Sequence, residues 1–553
     1  MHYPNHRGKR NASTIVLATI ALMSLGAAAV MPSATAATKT TKKKSTPTTV
    51  KPAATTTPTT AAATTAAPTT AAASTAAAVQ DPKAAPLVIA VNTEPSTLDA
   101  QLVNDRSSRV FTDSIFETLL ARDAKGQPAP LLADTWDANS LNTWRFTLHK
   151  GITFHDGEPF NADAVVFSIT RILDKKFGTQ RTSYLEAIEK AVKVDDMTVD
   201  IYTTAPSATL PIQLTAIPMV PPNAAPKLGT NPVGTGPYVF VKWDRGREIV
   251  AKKNDSYWGA KKPQIGEYHV RIIPDAQTAL AALQTGEVDL VLDILPEQKK
   301  LVPKYASIQG SEFSYVAFNT YKKELKDPRV RLAINYAIDK KALADTVYEG
   351  EAVPDDAQHL SKDMLGYNPD LHPYPYDVEK AKGLMKAAGF ESGFSLDLFV
   401  PIGRFLKGEE SAQFMAAQLA KINIKINVIN MDFNQFREVS RIKGTVAGAM
   451  DLKYSWNSNE FNDGSRIIAH ITCDGTSSKI CNPQVDKLMD EATKTANQFN
   501  RGLKYRLVWK LLNDDPYSIM LLQQNLLYGM TKRLVFQPRP DDEYYVNDMI
   551  TTK

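Results

Sequence analysis

Apolar and polar positions along the chain alternate between two rhythms. Leu87 to Val91 is a continuous apolar run that predicts a buried strand, and Trp144, Phe146 and Leu148 alternate with polar residues as in a half-buried one. Asn161 precedes a stretch in which Val165, Val166, Ile169, Ile172 and Leu173 share one helical face, so it reads as an N-cap. Asp327-Pro328 opens a second helix, carrying Val330, Ala333, Ile334, Ala337 and Ile338 at helical spacing. Asp377 begins a third, with Gly389 where a left-handed C-terminal cap belongs, and Asn482-Pro483 a fourth, with Val485, Leu488, Met489 and Ala492. Ile424, Ile426 and Val428 mark another strand. Mixed strands and helices over this length predict an α/β architecture of two or three lobes, without internal repeats.

The N-terminal region follows neither rhythm. Arg7, Lys9 and Arg10 precede an almost uncharged apolar run from Ile15 to Val30, and Ala34-Thr35-Ala36 has the small residues of a cleavage site, so residues 1–36 read as an export signal. The run falls short of the ~20 residues that span a bilayer, which makes a retained anchor the weaker alternative. No Cys stands near the cleavage site, so lipid attachment is not expected. Residues 37–85 are dominated by Thr, Ala, Pro, Lys and Ser and lack aromatic residues, which reads as a disordered linker, open to sugars on Thr or to contact with an anionic wall polymer through Lys42-Lys43-Lys44. No later segment is apolar enough to cross a membrane.

The 553 residues contain 64 Lys plus Arg and 59 Asp plus Glu, but the basic excess lies in the first 85 residues, and from residue 86 onward acids slightly outnumber bases. A nucleic-acid partner is therefore not expected. The chain shows no G-x-S-x-G elbow, no H-E-x-x-H helix and no phosphate loop. The histidines beyond the signal are His149, His155, His269, His359, His372 and His470, and only the first two are near neighbours, with Gly151 interrupting any strand that would put them on one face. No metal or cofactor is expected. Cys473 and Cys481, the two cysteines, sit in a Gly, Ser and Thr-rich stretch of a chain read as exported, where a disulfide is expected ahead of free thiols or a metal site.

The segment LLADTWDANSLNTWRFTLHKGITFHDGEPFNADAVVFSITRILD from Leu131 resembles the signature region of the family 5 extracellular solute-binding proteins, the binding subunits of peptide, nickel and related ABC importers. Further similar segments are LVIAVNTEPSTLDAQ from Leu87, NPVGTGPYVF from Asn231, NDSYWG from Asn254, ALAALQTGEVDL from Ala279, FNTYKKELKDPRVRLAINYAIDKKAL from Phe318, YPYDVEKAKGLMKAAGF from Tyr374 and NPQVDKLMDEA from Asn482. Most of these positions read as scaffold: Gly151 and Gly157 suit tight turns, and Gly234, Gly236 and Pro237 suit a chain reversal before a strand from Tyr238 to Val241.

The resemblance implies a hinged clamp of two lobes, the venus-flytrap or periplasmic-binding-protein-like α/β fold, with an extra subdomain inserted in lobe I. Lobe I is expected at residues 86–127, 228–317 and 521–553, the insert at 128–227 and lobe II at 318–520, with crossings near Phe318-Asn319 and Met520-Leu521. It also implies a ligand-binding set: Asn104, Asp105 and Arg106; Leu292, Asp293 and Ile294; Asn319 at the crossing; and Tyr454, Trp456, Asn457 and Asn459 on the loop that carries the family's W-x-x-D pattern. Here the Asp that pairs with a peptide's α-ammonium in relatives is replaced by Asn459, with Glu460 or Asp463 as neighbouring substitutes. Free-amine peptides are accordingly expected to bind weakly. The implied function is non-enzymatic: a monomer captures a peptide-like or other small solute and delivers it to a membrane permease with cytoplasmic ATPase subunits. A wall-associated receptor on the same fold and a secreted hydrolase are the competing readings.

Overall fold

The computed structural model describes residues 85–552, leaving outside the description 124–125, 141, 182–183, 186, 443, 446, 460–461, 469–470, 474–479 and 496. The export signal and, save for Ala85, the linker lie outside the described residues, as do Glu460 and His470.

The helix starts follow local chemistry. The Asn161 side chain accepts from the backbone N–H of Asp163 and Ala164 at 3.0 and 3.2 Å and opens Ala162–Leu173. Asp327, Asp377 and Asn482 cap Pro328–Tyr336, Val378–Ala387 and Pro483–Thr493 in the same way. Gly389 has φ +81°, the left-handed conformation expected of it.

Eleven strands form one mixed sheet that runs through the molecule. At one end, Leu87–Val91 lies parallel to Glu267–Ile272 and to Leu290–Leu292. Asp289 locks this end: its carboxylate accepts from Val88 N at 3.0 Å and from Arg533 Nε at 2.6 Å. At the other end, Phe394–Pro401 lies parallel to Ile424–Met431 and to Leu452–Ser458. The two ends share two long antiparallel strands, Lys304–Phe318 and Ser518–Met530.

Pairing between these long strands breaks where Gln309 opposite Asn525 gives way to Phe313 opposite Gln523. Gln523 bridges the break, donating to Gly310 O and Ser361 Oγ at 2.7 Å each. The cores divide at the same place. Leu526, Tyr528 and Met530 belong to a core with Val110, Phe111 and Tyr268, whereas Ile519, Leu521 and Leu522 belong to one with Ile334, Leu398 and Leu452. The sequence put the crossings near Phe318-Asn319 and Met520-Leu521; Phe318 ends its strand, and a second irregularity, where Ser314 opposite Leu522 gives way to Tyr315 opposite Met520, skips Leu521.

The inserted region contributes a four-stranded antiparallel sheet, Ala133–Ser140, Thr143–Leu148, Thr198–Thr203 and Ile188–Asp195, in that spatial order. Its Phe146, Val165 and Val199 pack into the first core, so it shares that lobe's interior. Gly151 and Gly157 have φ of +80° and +88°, as tight turns require. Gly234 and Gly236 have another role than the chain reversal expected of them: a Cβ at Gly236 would stand 2.5 Å from Ser114 O, so these glycines let the chain pack against the end of an adjacent helix.

Candidate ligand-binding site

Helix α1 (Arg106–Ile115) begins with Asp105 as N-cap; its carboxylate accepts from Ser108 N at 2.9 Å and from Ser108 Oγ at 2.7 Å. That holds Arg106 in the first turn. The Arg106 guanidinium pairs with Asp293 and, at 2.9 Å, with Asp542, and it donates to the hydroxyls of Tyr528 and Tyr544. Its carbon stands 5.6 and 5.5 Å from the centres of those two rings. Burial works against this charge, but Asp542 and the tyrosines outweigh it and hold the guanidinium above its ordinary range. Asp293 occupies the left-handed region with φ +58°, and its half-exposed carboxylate turns to Arg106.

The facing wall comes from the other end of the sheet. Tyr454, Trp456 and Asn457 lie on the strand Leu452–Ser458 rather than on a loop, because that stretch pairs along its whole length with Glu312–Phe318. Asn459 follows at once, its N–H donating to Ser311 O at 3.0 Å beside the pairing break. Trp456 stacks on Phe405, with ring centres 5.0 Å apart at 25°. Asn457 Nδ2 and both polar atoms of the Asn459 side chain are buried without a hydrogen-bond partner. Such groups are costly unless paired.

The two walls touch. Lys407 reaches Glu297 at 3.0 Å, Lys299 donates to Glu349 O at 2.7 Å, and Arg466 stands over the Tyr184 ring at 6.0 Å. A Cβ on Gly126 would collide with the Asn462 amide. These contacts tie the two walls together.

The residues expected at the site therefore separate. Arg106 and Asp293 meet on one wall; on the strand Leu452–Ser458, Trp456 packs with Phe405 on one face, Asn457 meets the Tyr315 hydroxyl on the opposite face, and Asn459 follows the strand. Asp105 spends its side chain on the helix cap, and Asn104 donates to the Tyr184 hydroxyl at 3.3 Å. Leu292 and Ile294 are buried in the first lobe, and Tyr454 is buried beside Tyr348 and Ser411 in the second. Asn319 is buried and donates to Gly444 O at 3.1 Å. Asp463 pairs with Arg501 at 3.1 Å, with both side chains almost fully buried, so it does not stand in for the missing carboxylate at 459. Sequence reading missed Tyr528, Asp542 and Tyr544 around Arg106, and Phe405, Lys407 and Glu297. The Asp541-Asp542-Glu543-Tyr544-Tyr545 run, acids beside aromatic rings, was the signal for part of this set.

Among the described residues no three His, Cys, Asp or Glu side chains group as metal ligands. His149 turns to Asp134 at 2.7 Å and His155 to Gly236 O at 2.9 Å, so the two rings do not converge. Cys473 and Cys481 form a disulfide, with Cα atoms 4.3 Å apart.

Two lobes joined by paired strands, with unpaired amides where they meet, define a binding protein of the periplasmic-binding-protein type. Comparison with known proteins specifies it further. The model of the bacterial extracellular solute-binding proteins, family 5, matches residues 127–476, and the chain belongs to that family. The glutathione-binding protein GsiB of Pectobacterium atrosepticum is 31% identical over 486 residues, covering 84% of this chain and 94% of the relative. Among solved structures, the ABC transporter substrate binding protein CtaP of Listeria monocytogenes shares the fold at a TM-score of 0.76 and 23% identity, over 85% of this chain and 99% of its own. The periplasmic binding protein DppA of Helicobacter pylori, in complex with the peptide STSA, gives a TM-score of 0.70 and 25% identity, covering 85% and 98%.

Proposed function

We propose that the exported chain is the solute-capturing component of an ABC importer, that it binds a short peptide-like molecule between its lobes without altering it, and that the lobes move about the break at Gln309–Phe313 and Gln523–Asn525. The observation that carries this reading is the set of buried, unpaired amide atoms on Asn457 and Asn459, next to that break. Polar groups buried at this cost are retained where a ligand completes them. Arg106, Asp293 and Trp456 complete the site: a charged pair for the ligand's polar ends and a flat ring for its body. The glutathione-binding relative and the peptide held by the Helicobacter protein support the ligand class.

Asn459 sets the preference within that class. A neutral amide at this position accepts a hydrogen bond without the charge-assisted part, so a peptide whose amine carries no free charge at that end is favoured over one that does. Closure strengthens each polar contact by excluding water, and ATP hydrolysed by the importer's cytoplasmic subunits drives transport, so this chain has no need of a nucleotide site. Residues 1–36 act as the export signal, cleaved after Ala36, and 37–85 as an unlipidated tether. No described helix is long and apolar enough to cross a membrane. The mature chain acts as a monomer.

Calorimetry on ligand-stripped protein with reduced glutathione, tri-alanine and N-acetyl-tri-alanine tests the reading. Micromolar or tighter binding of at least one, with the compound recovered unchanged, is expected. Chemical conversion of the bound compound, or no binding from a panel of short peptides and their blocked forms, overturns it.

A further inference from the structure

Helix α1, the inserted segment around Arg181 to Pro218 and the stretch Arg539 to Asp548 line a partly open cavity of about 300 Å³ in the first lobe. Its walls carry charged side chains of both signs. Two of its arginines, Arg122 and Arg181, are 6% and 4% exposed.

The chain brings these two guanidiniums to one wall. Arg122 Nε donates to Thr215 Oγ1 at 2.9 Å, and Arg181 Nη1 donates to the carbonyl of the next residue, Ala216, at 2.7 Å. Arg181 Nε donates to Ala100 O at 2.8 Å, and among the described residues no carboxylate lies within ion-pair distance of Arg181. Arg122 Nη1 is buried without a hydrogen-bond acceptor and forms a long ion pair, 3.7 Å, with Glu543. Thr112 Oγ1, another lining atom, is likewise buried and unpaired.

The acids on the cavity wall have other partners. Glu543 pairs with Arg109 at 2.9 Å, and Asp113 faces Arg109 at 3.4 Å. Glu117 accepts from Tyr257, Thr235 and Trp258 at 2.7, 2.7 and 2.8 Å. Arg181, hydrogen-bonded to carbonyls and reached by Asp113 and Glu543 only through space, is incompletely compensated, and its planar fork fits a carboxylate.

We infer that this cavity is a second binding site, distinct from the interlobe site, for a small carboxylate anion held by Arg122 and Arg181 with Thr112 donating from the opposite helix. Tyr184 lines the cavity and lies beneath Arg466 of the second lobe, so the anion sits next to a contact that ties the two walls together.

Calorimetry of the full chain with succinate, against its neutral diamide, provides the test. Succinate is expected to bind and the diamide not, and Arg181→Gln or Arg122→Gln should weaken succinate at least tenfold while leaving tri-alanine or glutathione binding at the interlobe site unchanged. Equal heats for succinate and the diamide, or succinate affinity unchanged in both variants, overturns the assignment and leaves ordered water as the occupant. Because both arginines are buried and the variants can fail to fold, crystals of the unaltered protein soaked in 3-bromopropionate provide an independent readout. Anomalous density for bromine within the cavity supports the site, and its absence refutes it.

Discussion

Lys407 Nζ lies 3.0 Å from Glu297 Oε1, and the two residues belong to opposite lobes. Lys407 precedes the helix Gly408–Leu419 and adopts the left-handed conformation, φ +55°, while Glu297 lies four residues beyond Asp293. The pair thus joins the two walls of the proposed site, and a latch role for it requires that it break when they open. It is partly exposed, so its contribution is about 0.2–1 kcal/mol and falls with salt. Lys407→Gln is expected to weaken ligand up to about fivefold by favouring the open form. The difference from the unaltered chain should vanish at high salt, which titrations at low and high ionic strength will check; a loss that persists at high salt contradicts a latch.

Asn459→Asp introduces the charge that the family resemblance assigns to a peptide's amine. The expected gain for free-amine tri-alanine is about tenfold, the size of one added charge-assisted hydrogen bond, with no gain for the N-acetylated form. Because the side chain is fully buried without a partner, the ligand-free variant should also melt lower than the unaltered chain. Equal gains for both peptides, or none for either, would show that this position does not meet the ligand's amine.

Helix beginnings were legible in the sequence because a cap and the apolar stripe behind it are local physics: Asn161, Asp327, Asp377 and Asn482 each accept from a backbone N–H two or three residues on. The breaks in pairing between the two long strands were not legible, since Lys304–Phe318 is one continuous strand and its first break is held by distant groups, Gln523 and the Asn459 N–H. Gly234 and Gly236 read as turn residues, yet the carbonyls they make room for belong to Ser114 and Ile115. The same limit applies at the site. Arg106 was named, but its partners Tyr528, Asp542 and Tyr544 are brought to it only by the fold, and Tyr454 and Trp456, two residues apart on one strand face, differ in burial only through what the fold stacks over each.

The disulfide closes a loop of modest length just ahead of the helix Pro483–Thr493, and Cys473 N donates to Asp486 Oδ1 at 3.0 Å. A short loop removes little freedom from the unfolded chain, about 2 to 3 kcal/mol. Replacing both cysteines by serine is expected to lower Tm by a few degrees and to leave peptide affinity unchanged, as scanning calorimetry and titration of the same samples will show. A large loss of affinity would mean that the loop itself reaches the ligand.

Acid titration reads the charged cavity of the first lobe. Burial pushes the Asp113 carboxyl up to about 7, with Arg109 opposing and Glu543 adding to the rise, and burial pushes Glu117 up to about 6 against its bonds from Tyr257, Thr235 and Trp258. Between the ordinary carboxylate range and these values, the folded chain keeps protons that the unfolded chain has released. These two groups therefore add stability that is complete below about pH 4 and is lost as pH rises through 6 to 7, at about 1.4 kcal/mol for each unit of separation. The Tm of the unaltered protein should carry a downward component from pH 5 to pH 7.5, and Asp113→Asn, which stays neutral throughout, should flatten it. Parallel Tm profiles for the two chains across that window would place the titration elsewhere.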